Sequence, residues 1–169
     1  MHSLSELNSA DRAVFAAALG HLFEHSPWVA EETWPQRPFP SREALHAALC
    51  ATMREAARDR QLALIRAHPD LAGRLAQQKK LTAESTREQA SAGLDQLTDA
   101  ELAAFTAQNG AYKEKFGFPF IICARLNAKA SILTAMATRV HNPPGDEFST
   151  ALGEIEKIAW LRLQDAVKP

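Results

Sequence analysis

Cysteine is nearly missing from this sequence. Only Cys50 and Cys123 occur among 169 residues. They lie far apart and lack the C-x-x-C spacing of a zinc or redox site, which argues against a disulfide framework and for reduced thiols in a cytoplasmic protein. An excess of one charge is missing as well. The chain sets 19 basic against 20 acidic residues for a net charge of −1, so the electrostatic footprint of a nucleic-acid or anionic-membrane binder is absent. No stretch approaches the ~18 uninterrupted apolar residues of a membrane span. Met1 to Ala10 has neither a basic start nor an apolar run, so no secretory signal is expected, and the terminal Val-Lys-Pro is no peroxisomal address. There is no internal repeat, low-complexity segment, glycine-rich phosphate loop, G-x-S-x-G elbow or H-E-x-x-H. A chain of this size, 46% hydrophobic, is left as one globular domain, residues 1–169, with small neutral or anionic ligands still open to it.

What is present is helical periodicity. Ser9 is placed to cap a first helix in which Val14, Phe15, Ala18, Leu19, Leu22 and Phe23 form an amphipathic pattern that ends near His25. Ser26-Pro27 opens a short helix, and the Trp34–Pro40 segment reads as a proline-stiffened loop pinned by Trp34 and Phe39. Ser41 caps a helix with Leu45, Ala48, Leu49, Thr52, Met53 and Ala56 on one face, with His46 beside it. Thr98 to Glu101 is a capping box for a helix carrying Leu102, Phe105, Tyr112 and Phe116, which Gly117 ends. Asn127 caps a helix with Ile132, Leu133, Met136 and Val140, and a last helix begins near Asp146. The pattern predicts an all-α domain of about eight helices with no sheet.

Polar chemistry concentrates between Ala67 and Leu94. Pro69 pushes the backbone of His68 out of the helical region, so a helix through Leu62 to Arg66 stops there and leaves the imidazole at a helix end. Asp70 would cap a short helix from Leu71 to Gln77, and Gln78-Lys79-Lys80 reads as a solvated loop. Ser85-Thr86-Arg87-Glu88 has the S-x-x-E form of a capping box. Two readings are open. These are ordinary helix junctions, or His68, Ser85 and Glu88 converge with the free amides of Thr86 to Gln89 on a small polar ligand, since orphan amides favour anions.

Three further features carry alternatives. The apolar run Phe116 to Ala124 contains a proline and has no partner strand, so it is either a hydrophobic connection or a turn whose backbone lines a pocket. Arg162 interrupts the stripe Phe148, Leu152, Ile155, Ala159, Ala166, and a buried guanidinium needs an anionic partner. That partner is a protein carboxylate or a ligand carboxylate or carbonyl. His21, Glu24 and His25 have the i, i+3, i+4 spacing of metal ligands, which would suit a metal-dependent hydrolase, although no further ligand cluster accompanies them.

Several blocks together resemble a known family. HPDLAG at 68–73, LTAESTREQASAGL at 81–94 and YKEKFGFPFIICAR at 112–125 are similar to the signature blocks of the 2-oxo-4-hydroxy-4-carboxy-5-ureidoimidazoline (OHCU) decarboxylases. SPWVAE at 26–31, RPF at 37–39 and EIEKIAWLRL at 154–163 fit the same family, so the resemblance covers nearly the whole chain in one order. It implies an all-helical, often homodimeric enzyme for the last step from urate to (S)-allantoin. It makes His68 the catalytic acid/base and Pro69 part of the pocket wall. Substrate contacts are implied at Ser85, Thr86, Arg87, Glu88 and Gln89, with Glu88 holding substrate N–H groups. Others fall at Phe120, Ile121, Ile122, Cys123 and Ala124, largely through backbone atoms, and Arg162 matches an arginine of the site. Asn127-Ala128-Lys129 lies where the family pattern is more variable. No metal or cofactor is implied, because the substrate carboxylate sits beside a C=N bond that can receive the electron pair left by CO₂. The protein must then orient the substrate, exclude water and deliver a proton to one face. A non-catalytic helical module binding a ureide or purine metabolite would keep the same pocket.

Overall fold

The computed structural model describes residues 1–73, 78 and 80–168. Nine α-helices occur among the described residues: α1 Leu4–Ser9, α2 Arg12–Leu19, α3 Trp28–Thr33, α4 Arg42–Glu55, α5 Arg58–Ala67, α6 Ala83–Ser91, α7 Asp99–Phe116, α8 Lys129–Arg139 and α9 Pro144–Ala166. Short 3₁₀ turns lie at Trp34–Gln36 and Ala124–Leu126. The all-α expectation holds. Among the described residues the β geometry is an isolated bridge, His2 to Val167. The expected helix from Leu71 to Gln77 falls at 74–77 outside the described residues, as does Lys79. The chain divides into two compact units, residues 1–67 with 155–169, and residues 68–154.

In the first unit, local hydrogen bonding moves two of the expected boundaries. Ser9 donates its hydroxyl to Ser5 O inside α1, so Asp11 becomes the cap of α2 by accepting from the Val14 amide at 2.8 Å. α2 stops at Leu19 rather than near His25, yet Leu22 and Phe23 remain buried through the turn that follows. Close approach explains the glycine after α2: a Cβ on Gly20 would lie 3.0 Å from the Pro27 side chain. Val14, counted in the apolar stripe, is exposed. Ser41 caps α4 as expected, and Leu45, Leu49 and Met53 are fully buried. Trp34 pins its loop by donating to Ala10 O, while the Arg37 guanidinium lies 4.2 Å from the Trp34 ring. His46 packs on Trp160 and meets Glu156 O at 2.9 Å. Burial, then the Glu156 carboxylate, raises the Cys50 thiol to about 12, so it stays protonated.

In the second unit, α7 begins at the expected Thr98–Glu101 capping box and ends at Gly117, whose φ of 72° a side chain would disfavour. α8 starts one residue later than expected. Asn127 donates its amide to Cys123 O instead of capping, and Ser131 accepts from the Ala128 N–H. α9 starts at Pro144, two residues before Asp146, because proline fits a first helical turn that needs no N–H. The core is aromatic: Tyr112 meets Phe120 edge-on at 5.2 Å, and Phe118 meets Phe148 in the same way. Beside it Glu147, fully buried, accepts from Tyr112, from Arg139 at 2.5 Å and from Asn142 at 2.8 Å. Burial and the bond to Glu147 both hold the Tyr112 phenol well above the usual tyrosine range. Arg139 also donates to Ile121 O at 2.8 Å, so this network fixes the nonhelical segment after α7.

Removing the carboxylate should strand the Arg139 charge. We expect Glu147→Leu to cost about 3–5 kcal/mol, a fall in Tm of roughly 6–20 °C by calorimetry. A loss below ~1 kcal/mol would mean that the pair contributes no more than an exposed one.

Candidate active site

α5 ends at Ala67 where Pro69 requires it, and His68 leaves the helix buried, with 9% exposure. The residues that follow form a tight turn. Gly73 N–H returns to Asp70 O at 3.3 Å, and a Cβ at Gly73 would stand 2.5 Å from Asp70 Cβ, which excludes any side chain there. Ala72 takes a left-handed φ of 51°, a conformation costing a residue with a Cβ roughly 1–2 kcal/mol. Side chains from two helices hold the turn. Gln89 of α6 accepts from Ala72 N at 2.9 Å and donates to Asp70 O at 3.4 Å. Asn109 of α7 donates to Leu71 O at 2.9 Å, and one turn later Lys113 reaches Asp70 Oδ2 at 2.6 Å. Asn109 and Lys113 were not among the residues singled out from sequence. The available signal was a polar residue at 109 in the buried stripe of Phe105 and Tyr112.

The start of α6 corrects the capping-box expectation. Thr82, extended at ψ 159°, is the cap and accepts from Ser85 N at 3.2 Å, so Ser85 and Glu88 lie inside the helix. The helix begins three residues earlier because the threonine hydroxyl caps the Ser85 amide. Thr86 N is bonded to Thr82 O at 2.9 Å and is no orphan. The i, i+3, i+4 spacing instead puts Ser85, Glu88 and Gln89 on one side, with Ser85 and Gln89 buried and Glu88 half-buried. Thr86 and Arg87 face the other way, Thr86 bonding Thr82 O and Arg87 pairing with Glu84 at 3.5 Å.

Phe120 to Ala124 is buried throughout and runs without regular structure to Cys123. Side chains bond several of its backbone polar groups. Arg139 donates to Ile121 O, Cys123 N donates to Glu154 at 2.8 Å, and Asn127 donates to Cys123 O at 3.0 Å. Burial raises the Cys123 thiol, and the carboxylates of Glu154 and Glu88 raise it further. That effect makes the thiol a poor nucleophile and puts Glu88 within electrostatic reach of this segment. α6 packs against the Ala124–Leu126 turn. The second unit therefore gathers the His68 turn, the Ser85–Glu88–Gln89 side of α6 and the 120–124 backbone.

Arg162 belongs to the first unit, where it meets Glu24 at 3.0 Å and donates to His21 O at 3.2 Å, both charged side chains being almost fully buried. A protein carboxylate thus balances the guanidinium, which is the ion-pair alternative. Glu24 is turned inward by this pair, with its Oε1 4.0 Å from His25 Nε2, while His21 and His25 stay exposed. Among the described residues no group of three or more His, Cys, Asp or Glu could hold a metal ion.

Comparison with known proteins shows which family the chain belongs to. The model of the OHCU decarboxylase family matches residues 8–164. A 2-oxo-4-hydroxy-4-carboxy-5-ureidoimidazoline decarboxylase of Halalkalicoccus jeotgali is 42% identical over 167 residues, covering 99% of this chain and 93% of that protein. The mouse protein of the same name is 42% identical over 160 residues, covering 95% and 90%. A crystal structure of (S)-allantoin synthase superposes with a TM-score of 0.78 at 34% identity, covering 99% of this chain and 54% of that one. The chain belongs to the OHCU decarboxylase family. Membership makes it a decarboxylase of urate degradation.

The buried pair yields a measurable consequence. Arg162→Met should strand Glu24 and destabilise the protein by about 3–5 kcal/mol. Melting temperature and kcat/KM of the variant, measured together, check this: unchanged melting with lost turnover would place Arg162 on the substrate instead.

Proposed function

We propose that this chain converts OHCU to (S)-allantoin with His68 as the acid/base and without metal or organic cofactor. The observation that carries the role of His68 is a buried imidazole presented from a turn whose backbone is bonded to α6 and α7. Ser85, Glu88 and Gln89 would meet substrate from α6, with Glu88 accepting its N–H groups. Pro69 and the backbone of Phe120 to Ala124 would wall the pocket. Thr86 and Arg87, whose side chains face away, would add backbone at most.

The electron flow needs no external sink. Cleavage of the carbon–carboxylate bond leaves a pair that forms a C=C bond to the ureido-bearing carbon, while the C=N π pair moves onto nitrogen and is protonated. Loss of the enol proton then accompanies protonation of the ureido-bearing carbon, which becomes the stereocentre. An imidazole has two ring nitrogens that can accept and donate these protons, and fixing it on one side of the ring makes the product one enantiomer. Water must be excluded, because solvent would protonate both faces. The family resemblance also supports a homodimer, and the scarcity of cysteine a cytoplasmic location. Light scattering reads the assembly directly.

Two substitutions separate the roles. His68→Asn keeps a hydrogen bond but cannot shuttle a proton, so turnover followed by circular dichroism should fall about 10²–10⁴-fold with the fold retained. Near-normal rates would sink the acid/base role. Glu88→Gln presents a donor to substrate N–H groups, so KM should rise with little change in Tm. An unchanged KM would leave Glu88 a helix residue only.

A further inference from the structure

We infer that Asn109 is a positioning residue for the reaction, fixing the turn that carries His68; the inference rests on the acid/base reading given above. Asn109 is buried in a helix face otherwise occupied by Phe105 and Tyr112, where an apolar side chain would be the ordinary occupant. Its amide is spent on one bond, to Leu71 O at 2.9 Å. Gln89, also buried, supplies the flanking bonds to Ala72 N and Asp70 O. Polar groups on three consecutive residues, 70 to 72, are thus held by carboxamides from two different helices.

A buried turn must satisfy its backbone groups somehow, so hydrogen bonding alone would make these contacts structural. Three features turn them into control of His68. Ala72 sits in the left-handed region, so the turn occupies a conformation that its own residues do not favour and that external bonds must maintain. Pro69 has its φ locked by the pyrrolidine ring, which leaves few soft dihedrals between Leu71 and His68 to absorb a displacement. The bonds from α6 and α7 converge on residues 70 to 72, the side of the turn that immediately follows His68. Lys113 on Asp70 adds an outer tie, half-exposed and correspondingly weak. A shift of Leu71 would accordingly move the imidazole, and a misplacement near 1 Å is costly to a proton transfer that depends on reach.

The test uses Asn109→Leu, which fills the site without a donor, and Asn109→Ser, which is smaller and cannot reach Leu71 O. kcat, KM, Tm and amide exchange at Ala72 and Gly73 are measured beside His68→Asn. In whichever variant folds, kcat should fall about 10- to 100-fold with KM within about threefold, and exchange at Ala72 and Gly73 should quicken. Unchanged kcat in a folded variant, whatever its Tm, overturns the positioning role. If His68→Asn itself turns over normally, the acid/base reading fails and takes this inference with it, a result distinct from unchanged kcat in the Asn109 variants alone.

Discussion

A proline one residue after a histidine is the constraint on which this site depends. Pro69 ends α5 at Ala67 and forces the chain into a turn where helical hydrogen bonds are no longer available. The turn is buried, so its peptide groups must find other partners, and Gln89 and Asn109 provide them. Gly73 follows from the same geometry, because the return of its N–H to Asp70 O brings its Cα too near the Asp70 side chain for a Cβ. One covalent restriction thereby sets the helix end, the glycine, and the need for two buried carboxamides on other helices.

Buried charge is handled in the same way in both units, by complete pairing. Arg162 with Glu24 in the first, and Arg139 with Glu147 in the second, each give a desolvated guanidinium a carboxylate and a backbone carbonyl. Such pairs cost much when one member is lost and contribute less when intact, because desolvation offsets the attraction. Their value here is geometric. The Arg139 pair ties Ile121 O to α8 and α9, which keeps a buried nonhelical segment in one conformation beside α6.

The sequence made visible those features that rest on local rules. The end of α5 at His68-Pro69, the Ser41 cap, the Thr98 capping box, and the left-handed Gly117 all depend on residues within four positions. Family blocks made the roles of His68 and the 120–124 segment readable as expectations. What was lost depended on competition or distance. Ser9 and Ser85 both look like caps, yet in each case a neighbouring residue, Asp11 or Thr82, caps the helix instead. Asn109 bonds a carbonyl 38 residues away, and Arg162 pairs with Glu24 across most of the chain, so no window of sequence shows either partner. In both helices the legible hint was a polar residue interrupting an apolar stripe.

The chemistry asks little of this protein beyond placement, since the substrate supplies its own electron sink. On the proposed mechanism, what distinguishes the enzyme from spontaneous decay is delivery of one proton to one face of a planar intermediate. The most direct measurement is turnover of OHCU in D₂O, with enough protein to consume the substrate before it decays unaided, followed by NMR and circular dichroism of the product. The account predicts (S)-allantoin carrying deuterium on the ureido-bearing carbon. Racemic product formed at the unaided rate would contradict it.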